Sequence, residues 1–473
     1  MSLWQSITKR ERLIWLLITL GLIGFIFLFT IAPSLLAQGS TDNEDQAVTE
    51  QLREAYFYIK ENYVDLDKVS SQKLLDGALD GLFKALGDPY SAYYNKEQLR
   101  DLNDLAEGSF GGVGLVISKQ RLFDKNGEPI SNTPVEVVSP IEGTPAYRAG
   151  INAGDLIIKV EDKSTLEMSL DDVVKTLRGS PGTSVKITVR RGESLEFEVT
   201  LTRALIEIPT VKTAVINQKV AYLKIVEFSK PTAQRVREAL ESFEKQGLKS
   251  LIIDIRSNPG GLLDSVIAIA DYFLAEGQIL SVRGRNPAID RVYYARRGNE
   301  LATAMKIALL IDKGSASASE ILAGALKDNK RATIFGEKSY GKGTVQHLKP
   351  AGEGEYKLTV ARYYTPSGQT VDKNGITPHV ELKEEEYSEA EKAAYERLIR
   401  ENVIGEFVKK NPNPSDDAIK AFIRELKQKG FALRDSALRV LILREVYRTV
   451  NNPPVFDLES DMVLKAAYEF LQK

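Results

Sequence analysis

The chain has 473 residues, enough for about three domains of ordinary size, and its formal net charge is -2. This near balance of charges argues against a nucleic-acid-binding protein. The chain has no cysteine and only two histidines, which excludes thiol catalysis, disulfides, thiolate metal sites and a histidine-rich metal site. We therefore predict neither a metal nor another cofactor.

The first predicted element is an apolar segment near the N-terminus. Residues 13–37 contain no charged residue, and a helix rising about 1.5 Å per residue can cross a hydrocarbon layer about 30 Å thick over this length. Lys9, Arg10 and Arg12 precede the segment, so the positive-inside rule predicts a cytoplasmic N-terminus and an extracytoplasmic remainder, periplasmic or extracellular. The small residues of Ala37-Gln-Gly39 leave a second interpretation, a cleaved signal peptide and a secreted protein. The length of the apolar run favours a single-pass anchor in the cell membrane.

A small helical region is predicted next. Residues 38–50 are polar and indicate a linker, whereas Gln51–Lys60 and Ser71–Leu86 carry apolar residues at helical spacing. Gly87-Asp-Pro-Tyr90 is a turn that ends the second helix. We assign residues 45–106 to an N-terminal helical domain in which no chemistry is visible.

A glycine-rich stretch opens a region of short strands. Phe110-Gly-Gly-Val-Gly-Leu-Val-Ile117 is a turn that enters a strand, and a predicted hairpin around Arg191-Gly-Glu193 closes the region. Residues 107–203 resemble a PDZ domain, and Ala149-Gly-Ile-Asn-Ala-Gly-Asp155 is the most specific part of the resemblance.

PDZ domains bind a peptide as an added strand and hold its C-terminal carboxylate in a nest of backbone N–H groups. The resemblance implies a protein or peptide substrate with a free C-terminus as partner. Taken alone, a Gly-Gly-x-Gly sequence is an ordinary turn. The residues that the resemblance assigns to peptide binding are Gly111, Gly112, Val113, Gly114 and Leu115.

Strands and helices alternate over residues 204–385. The alternation predicts an α/β core with a largely parallel sheet, within a multidomain chain of the α/β class. The predicted elements include Val220–Val226, Thr232–Gln246, Leu251–Ile255, Leu262–Leu274 and Met305–Ile311.

Two motifs in this core carry candidate chemistry. Gly314-Ser-Ala-Ser-Ala-Ser-Glu320 puts a hydroxyl at a turn into a predicted helix, whose free N–H groups stabilise a developing anion. Gly341-Lys-Gly-Thr-Val-Gln346 supplies a lysine between two glycines, and Lys342 lies 25 positions after Ser317. Serine, lysine and glutamine suffice for nucleophilic catalysis without histidine, because a desolvated lysine acts as a general base toward a serine.

Two plainer interpretations compete on the patterns alone. Ser317-x-x-Glu320 is a capping box, so the serine can simply cap its helix. Gly336-x-x-x-x-Gly341-Lys342 approaches a phosphate-binding P-loop. However, Gly343 stands where Ser or Thr must hold magnesium, and a strand-like segment follows.

Together the two motifs resemble the signature of the carboxyl-terminal processing (tail-specific) serine proteases. The resemblance implies that Ser317 is the nucleophile, that Lys342 is the general base and that Gln346 orients the lysine. It also implies a ClpP/crotonase-like core and the small N-terminal helical domain of that family.

The resemblance implies further site residues. Asp254-x-Arg256-x-Asn-Pro-Gly-Gly261 resembles a family motif whose glycine pair donates a backbone N–H to the oxyanion. The implied oxyanion hole combines Gly260 or Gly261 with the N–H of Ala318, and two such donors fit acyl transfer. Arg178 lies where the family has a similar Leu-Arg-Gly. It either couples tail binding to activity through a protease-domain acid or is a surface arginine beside a turn.

The spacing of Lys342 and Gln346 raises a geometric question. On a straight strand these side chains share a face but lie roughly 13 Å apart. We predict a bend that lets Gln346 reach back to the lysine amine, in an apolar pocket that favours the neutral lysine.

The spacing of apolar and charged residues in the C-terminal part, residues 386–473, predicts charged amphipathic helices. They either cover the core or, with the N-terminal helices, form a homodimer interface, and we favour the interface. The predicted helices are Glu384–Lys410, Asp416–Lys429, Asp435–Val450 and Asp457–Leu471.

These features predict a membrane-anchored, extracytoplasmic serine endopeptidase that recognises C-terminal tails. The alternative is a catalytically inert PDZ adaptor on the same scaffold. A complete serine–lysine pair argues against the adaptor.

Overall fold

The computed structural model describes residues 32–119, 122–123, 129–130, 133–192, 194–383, 387–447 and 454–473. The chain divides into two compact units, Met1–Tyr93 and Tyr94–Lys473. The predicted anchor at residues 13–37 lies, up to residue 31, outside the described residues. Within the described part of the chain, no helix combines the length and the apolarity needed to cross a membrane.

The described part of the first unit is mainly helical. Its elements are α1 (Ala32–Asn62), a 3-10 turn (Leu66–Lys68) and α2 (Ser71–Lys84), and the short strand β1 (Ala92–Tyr94) spans the boundary with the second unit. Both helices predicted here are confirmed, but the polar linker over residues 38–50 was wrong, because α1 runs through that segment. Residues 45–50 are all exposed, and a helix that faces solvent needs no apolar stripe there.

The second unit opens with α3 (Lys96–Glu107), followed by the PDZ-like region. The main sheet of this region is antiparallel in the order β10-β9-β7-β6-β3, with β8 beside β7, and β2 pairs separately with β11. The β9–β10 pair confirms the predicted closing hairpin. The elements are β2 (Ser109–Gly112), β3 (Leu115–Lys119), β4 (Leu122–Phe123), β5 (Pro129–Ile130), β6 (Val135–Pro140), α4 (Pro145–Arg148), β7 (Leu156–Val160), β8 (Lys163–Ser164), α5 (Leu170–Leu177), β9 (Ser184–Arg191), β10 (Leu195–Thr202) and β11 (Ala204–Glu207).

The α/β core contains a six-stranded sheet in the order β12-β13-β14-β17-β18-β21, parallel from β13 onward, which confirms the predicted parallel sheet. A second, antiparallel sheet includes β15, β16, β19 and β20. The core elements are β12 (Val211–Ile216), β13 (Val220–Ile225), α6 (Thr232–Lys245), β14 (Ser250–Asp254), α7 (Leu263–Phe273), β15 (Gln278–Gly284), a 3-10 turn (Pro287–Ile289), β16 (Arg291–Tyr294), β17 (Lys306–Ile311), α8 (Ala318–Asp328), β18 (Thr333–Gly336), β19 (Thr344–Ala351), β20 (Gly354–Tyr364) and β21 (Val380–Glu381).

The helices of the C-terminal segment pack in two different places. The first predicted helix breaks in two at Asn402, whose φ of +47° is left-handed. The helices α9 to α12 share an apolar cluster of their own, which includes Leu398 and Phe422. The helix α13 instead packs on the central sheet. The five helices are α9 (Glu389–Arg400), α10 (Val403–Lys410), α11 (Asp416–Gln428), α12 (Asp435–Tyr447) and α13 (Met462–Gln472).

Side chains of the parallel strands alternate between two buried layers. Leu251 and Ile253 of β14 face the layer that contains α6, α7 and α8, whereas Ile252 between them faces the layer that contains α13. A strand has a two-residue repeat, so a continuous apolar run needs a cover on each face. The helix α13 provides that cover, which confirms the covering interpretation for this last helix.

An ionic contact fixes the start of α13 to the core. Arg256, directly after β14, donates to both oxygens of Asp461 at 3.0 and 2.7 Å and to both oxygens of the buried Asp254 at 3.0 and 2.7 Å. Asp461 also caps α13 by accepting the N–H of Leu464 at 2.9 Å. Burial would raise the pKa of Asp254, but Arg256, Lys224 and the hydroxyl of Tyr222 outweigh it and hold that pKa below its usual range.

We expect Asp461→Ala to lower the free energy of unfolding by about 1–3 kcal/mol, because it removes both the cap and a carboxylate of Arg256. Asp461→Asn keeps a good capping residue and should lose a smaller part of that free energy. Urea unfolding followed by far-ultraviolet circular dichroism measures both. Equal stability of Asp461→Ala and wild type would show that this contact does not hold the helix.

Candidate active site

The catalytic candidates converge at the carboxyl edge of the parallel sheet, the usual place for sites in open α/β sheets. The segments that follow β14, β17 and β18 are residues 255–261, 312–317 and 337–343. Direct hydrogen bonds join the first two segments: Ser257 N–H donates to Asp312 Oδ1 at 2.8 Å, and Ala316 N–H donates to the carbonyl of Asn258 at 3.0 Å.

Ser317 stands at the N-cap position of α8, as the capping pattern predicts. Its φ of +54° lies where a non-glycine residue is strained, at a cost on the order of 1–3 kcal/mol. Such a conformation persists when the surroundings hold it, and strain of this kind is typical of functional turns. The N–H of Ser317 donates to the carboxylate of Glu320 at 2.9 Å.

Glu320 is the central residue of the site and was missed by sequence reasoning, which considered it only as a capping partner. It is fully buried, and its Oε1 accepts from the hydroxyl of Ser339 at 2.6 Å and from the N–H of Gly341 at 2.7 Å. Its Oε2 accepts from the N–H of Ser317 and from the N–H of Lys342, both at 2.9 Å. Burial raises the pKa of this carboxyl, and the four hydrogen bonds act in the opposite direction.

A sequence signal for Glu320 did exist. It is the one charged residue in the otherwise small and apolar run Ala318–Leu326, all of which is buried. A charge in such a run must be hydrogen-bonded inside the protein, because an unpaired buried charge is too costly. The pattern therefore indicated an internal partner but not which one.

Tyr363 of β20 supports the same arrangement from the antiparallel sheet. Its buried hydroxyl lies within hydrogen-bond distance of the carbonyl oxygens of Ser317, at 3.1 Å, and of Lys342. Its N–H donates to the carbonyl of Gly343 at 3.0 Å. The serine turn and the lysine segment are thus fastened to each other through two side chains, Glu320 and Tyr363.

Lys342 is half-buried between two glycines that the backbone requires. Gly341 has a φ of +92°, and a Cβ on Gly343 would lie 2.2 Å from the backbone nitrogen of Asp372. Strand β19 follows directly, which agrees with the argument against a P-loop, since that motif needs a helix after its lysine. The apolar pocket around a neutral lysine stays a prediction.

Gln346 lies next to an irregularity in β19. The register with β20 shifts between Val345 and Gln346, so a β-bulge lies near the predicted bend. The side-chain amide of Gln346 donates to the hydroxyls of Thr344 at 2.9 Å and Thr359 at 3.2 Å. Its contact with the lysine amine stays a prediction. His347, the next residue, is exposed.

The two candidate glycines of the oxyanion hole differ in their hydrogen bonds. The N–H of Gly260 donates to Asn258 Oδ1 at 2.9 Å. The N–H groups of Gly261 and Ala318 make no hydrogen bond to any residue that the structure describes. Gly261 and Ala318 thus keep N–H groups that could serve as donors, and their role in an oxyanion hole stays a prediction. Gly260 instead lets the loop approach the serine, since a Cβ on it would lie 2.7 Å from the Cβ of Ser317.

We expect Gly260→Ala to lower kcat/KM by about 10²-fold or more, because the new methyl group would push the loop and its donors away from Ser317. Gly298→Ala is the matched control: Gly298 also has a left-handed φ, of +89°, but no atom lies within 4 Å of its Cβ position. Activity and thermal unfolding of both variants separate site geometry from backbone strain. Equal activity losses in the two variants would contradict the close approach.

Comparison with known proteins identifies the family of this chain and the domains that it contains. Residues 219–382 match peptidase family S41, residues 136–191 match the PDZ domain, and residues 32–98 match the N-terminal domain of the activating protease CtpB. A carboxy-terminal-processing protease of Bartonella bacilliformis is 36% identical over 359 residues, which cover 74% of this chain and 79% of that protein. The chain belongs to peptidase family S41. The family predicted from the two motifs is thereby confirmed, and this S41 peptidase is a serine-type enzyme with a PDZ domain.

One further relative and one solved structure are also similar to this chain. The carboxy-terminal processing protease CtpA of Bacillus subtilis is 34% identical over 357 residues, covering 75% of this chain and 73% of that protein. The solved structure of a photosystem II D1 C-terminal processing protease is 29% identical, with a TM-score of 0.42, and covers 70% of this chain and 92% of that chain.

The PDZ loop of this S41 peptidase lines a cavity of about 780 Å³. Four of the five predicted peptide-binding residues, from Gly112 to Leu115, contribute to its wall. Gly111 lies behind the loop, where a Cβ would come within 2.2 Å of the carbonyl of Gly179. Much of the remaining wall is apolar and includes Ile117, Val174 and Leu177 from the PDZ domain and Val226 from the core.

Arg178 also lines this cavity. Its guanidinium lies 4.9 Å from the ring centre of Phe110 and 3.9 Å from Asp104. Asp104 belongs to α3, so this acid lies outside the predicted protease core. A coupling role for Arg178 stays a prediction.

Proposed function

We propose that this S41 peptidase holds the C-terminal tail of a protein substrate in its PDZ cavity and cleaves the substrate with a Ser317–Lys342 dyad. One observation carries the proposal. A single oxygen, Oε2 of Glu320, accepts the backbone N–H groups of both Ser317 and Lys342 at 2.9 Å, so the fold fixes the two residues beside each other. A binding-only protein has no use for this arrangement.

In the proposed mechanism, the hydroxyl of Ser317 attacks the scissile carbonyl and passes its proton to the neutral amine of Lys342. The N–H groups of Gly261 and Ala318 stabilise the oxyanion of the tetrahedral intermediate, where one such donor is worth about 2.7–4 kcal/mol of barrier. Lys342 then protonates the leaving amine, and an acyl-enzyme remains on Ser317. Water attacks this ester with Lys342 as base and releases the acid product.

The names of the relatives and the chemistry of the cavity support tail recognition. The Bartonella bacilliformis and Bacillus subtilis relatives are named for carboxy-terminal processing. In this chain the apolar wall of the cavity suits a tail with apolar side chains, and the N–H groups of the Val113–Leu115 turn suit its carboxylate.

The anchor is proposed on the sequence. The uncharged run at residues 13–37, with basic residues before it, supports a single-pass helix with the catalytic part outside the cytoplasm. Sodium carbonate extraction of membranes and protease accessibility of the intact cell test this topology. Release of the chain by carbonate, or its cleavage after residue 39, favours the secreted form.

A homodimer through the N-terminal helices is proposed on their exposed apolar side chains. Phe57 of α1 is 47% exposed, and Leu82 of the amphipathic helix α2 is 51% exposed. Such faces usually pack against something. Light scattering of the full chain in a neutral detergent should give a dimer mass that Phe57→Asp reduces to a monomer mass. An unchanged mass in the variant would place any dimer contact elsewhere.

Cleavage of a tailed substrate is the test of the proposed function. The full chain is incubated with an unstructured protein that ends in apolar residues, and the products are identified by mass spectrometry. We expect cleavage by the wild type and slower cleavage when the substrate's C-terminus is amidated, because the amide removes the charge that the N–H nest binds. Binding of an intact substrate by wild type, with no cleavage, would favour the adaptor. Equal rates for both tails would contradict carboxylate recognition.

A further inference from the structure

A second cavity, of about 350 Å³, lies away from the proposed catalytic and tail sites, and four of the nine residues that line it are cationic. Its polar lining consists of Lys306, Lys327, Lys330, Arg331, Thr333 and His379. We propose that this cavity is a binding site for a phosphate group. The proposal is independent of the proposed catalytic function and goes beyond it.

The cavity lies at the opposite edge of the parallel sheet from the active site. Lys306 begins β17, Thr333 begins β18, and Lys327 is in the last turn of α8. Ser317 precedes the first residue of α8, and a helix of this length spans about 16 Å, so the two sites are at its two ends. The proposed nucleophile and the basic cavity are therefore separate sites.

The positive charges of the cavity have no carboxylate partners among the residues that the structure describes. Lys306 and Lys327 donate instead to backbone carbonyls, those of Phe470 at 3.0 Å and Thr377 at 2.6 Å. Each of these hydrogen bonds uses one of the three N–H bonds of an ammonium group, so further N–H bonds remain for a ligand.

Arg331 is held in the same way. Its Nε donates to the carbonyl of Phe273 at 2.9 Å, and another guanidinium nitrogen donates to the carbonyl of Ala302. Burial lowers the pKa of this guanidinium, as expected for a partly desolvated cation without a counter-charge. The nearest acid in the sequence, Asp328, accepts the N–H of Ser367 at 2.9 Å.

His379 adds a neutral donor. Its Nδ1 accepts the N–H of Ile334 at 3.0 Å, which assigns the proton of the neutral ring to Nε2. Burial and the neighbouring Lys327 lower the pKa of this imidazole, so the neutral form is the one present near pH 7. The Nε2–H group takes no part in the hydrogen bond to Ile334 and can donate to an oxygen of a bound phosphate.

A phosphate group fits this set of donors better than a monovalent ion. It carries up to two negative charges and several acceptor oxygens, and charge-assisted hydrogen bonds from Lys and Arg are the strong ones. The cavity volume exceeds that of one phosphate, which leaves room for a group attached to it. Free phosphate and the phosphoglycerol head group of a lipid share this chemistry.

The test is thermal unfolding of the full chain in a neutral detergent. Inorganic phosphate or glycerol phosphate is compared with sodium chloride at equal ionic strength. We expect phosphate to raise Tm by about 2 °C or more over chloride, since a ligand that binds the folded state stabilises it. A larger rise with glycerol phosphate supports the lipid head group as the natural source, and an equal rise supports the free ion.

The variant Lys330→Glu should lose the phosphate-dependent rise in Tm. Lys330 is exposed and hydrogen-bonds within the chain through its backbone, so the variant should keep the wild-type Tm in chloride. Lys219→Glu is the matched control, because Lys219 is an equally exposed lysine in the turn before β13. No rise in the wild type, or the same rise in Lys330→Glu, would overturn the proposal. A rise that only Lys330→Glu loses supports it.

Discussion

Replacing Ser317 with alanine is expected to lower kcat/KM for protein cleavage by at least about 10³-fold, because the residue left behind has no nucleophile. Lys342→Ala should have an effect of the same order, since the serine then keeps its proton. The double variant should be no worse than either single variant, because residues that act as one unit give non-additive losses. Initial rates of cleavage of a fluorogenic tailed substrate measure all three.

The matched control for the lysine is Lys338→Ala. Lys338 precedes Lys342 in the same segment and is exposed, so its loss removes a charge from the neighbourhood without removing the base. It should keep near wild-type activity. Cleavage that survives Ser317→Ala would mean that another residue is the nucleophile, and a full rate in Lys342→Ala would remove the lysine from the mechanism.

The second large effect is expected for Glu320→Gln. Each carboxylate oxygen of Glu320 accepts at least two hydrogen bonds, and Oε2 also accepts the hydroxyl of Tyr363 at 3.5 Å, whereas an amide can offer only one acceptor oxygen. Two donors would then face an NH₂ group, at a cost of about 1–3 kcal/mol for each buried donor without a partner. The lysine segment would shift relative to Ser317, and a misplacement of about 1 Å can lower kcat/KM by about 10²-fold.

Thermal unfolding and cleavage rates should therefore both fall in Glu320→Gln. Glu337→Gln is the control, since Glu337 begins the same lysine segment but its carboxylate makes none of the four hydrogen bonds of the Glu320 carboxylate. Labelling of Ser317 by a fluorophosphonate probe adds an independent measure of the nucleophile. Wild-type labelling and cleavage in Glu320→Gln would show that the carboxylate does not position the dyad.

The fold of the core was predictable because its strands carry their own signal. The run Leu251–Ile255, which is apolar except for Asp254, indicated a buried strand, and the structure places it in the middle of the parallel sheet. What covers the second face was not predictable. The partner, α13, follows more than two hundred residues later in the sequence, and its apolar stripe fits many possible surfaces.

Local polarity misled the prediction at the N-terminus. The polar residues 38–50 favoured a linker, but the structure continues α1 through them. Glutamate, glutamine and alanine, which occur at positions 44, 46, 47 and 50, are good helix formers, so polarity by itself does not end a helix. The break between α9 and α10 shows the reverse case, where a left-handed Asn402 interrupts a continuous helical pattern.

The sequence by itself determined the family and the candidate residues Ser317, Lys342 and Gln346, because residue type and spacing survive as a pattern along the chain. Only the tertiary structure decided how those residues are held. Glu320 joins Ser317 to Lys342, 25 positions apart, and Asn258 accepts the N–H of Gly260. Hydrogen bonds between distant segments depend on the packing of whole strands and helices, and no local pattern records them.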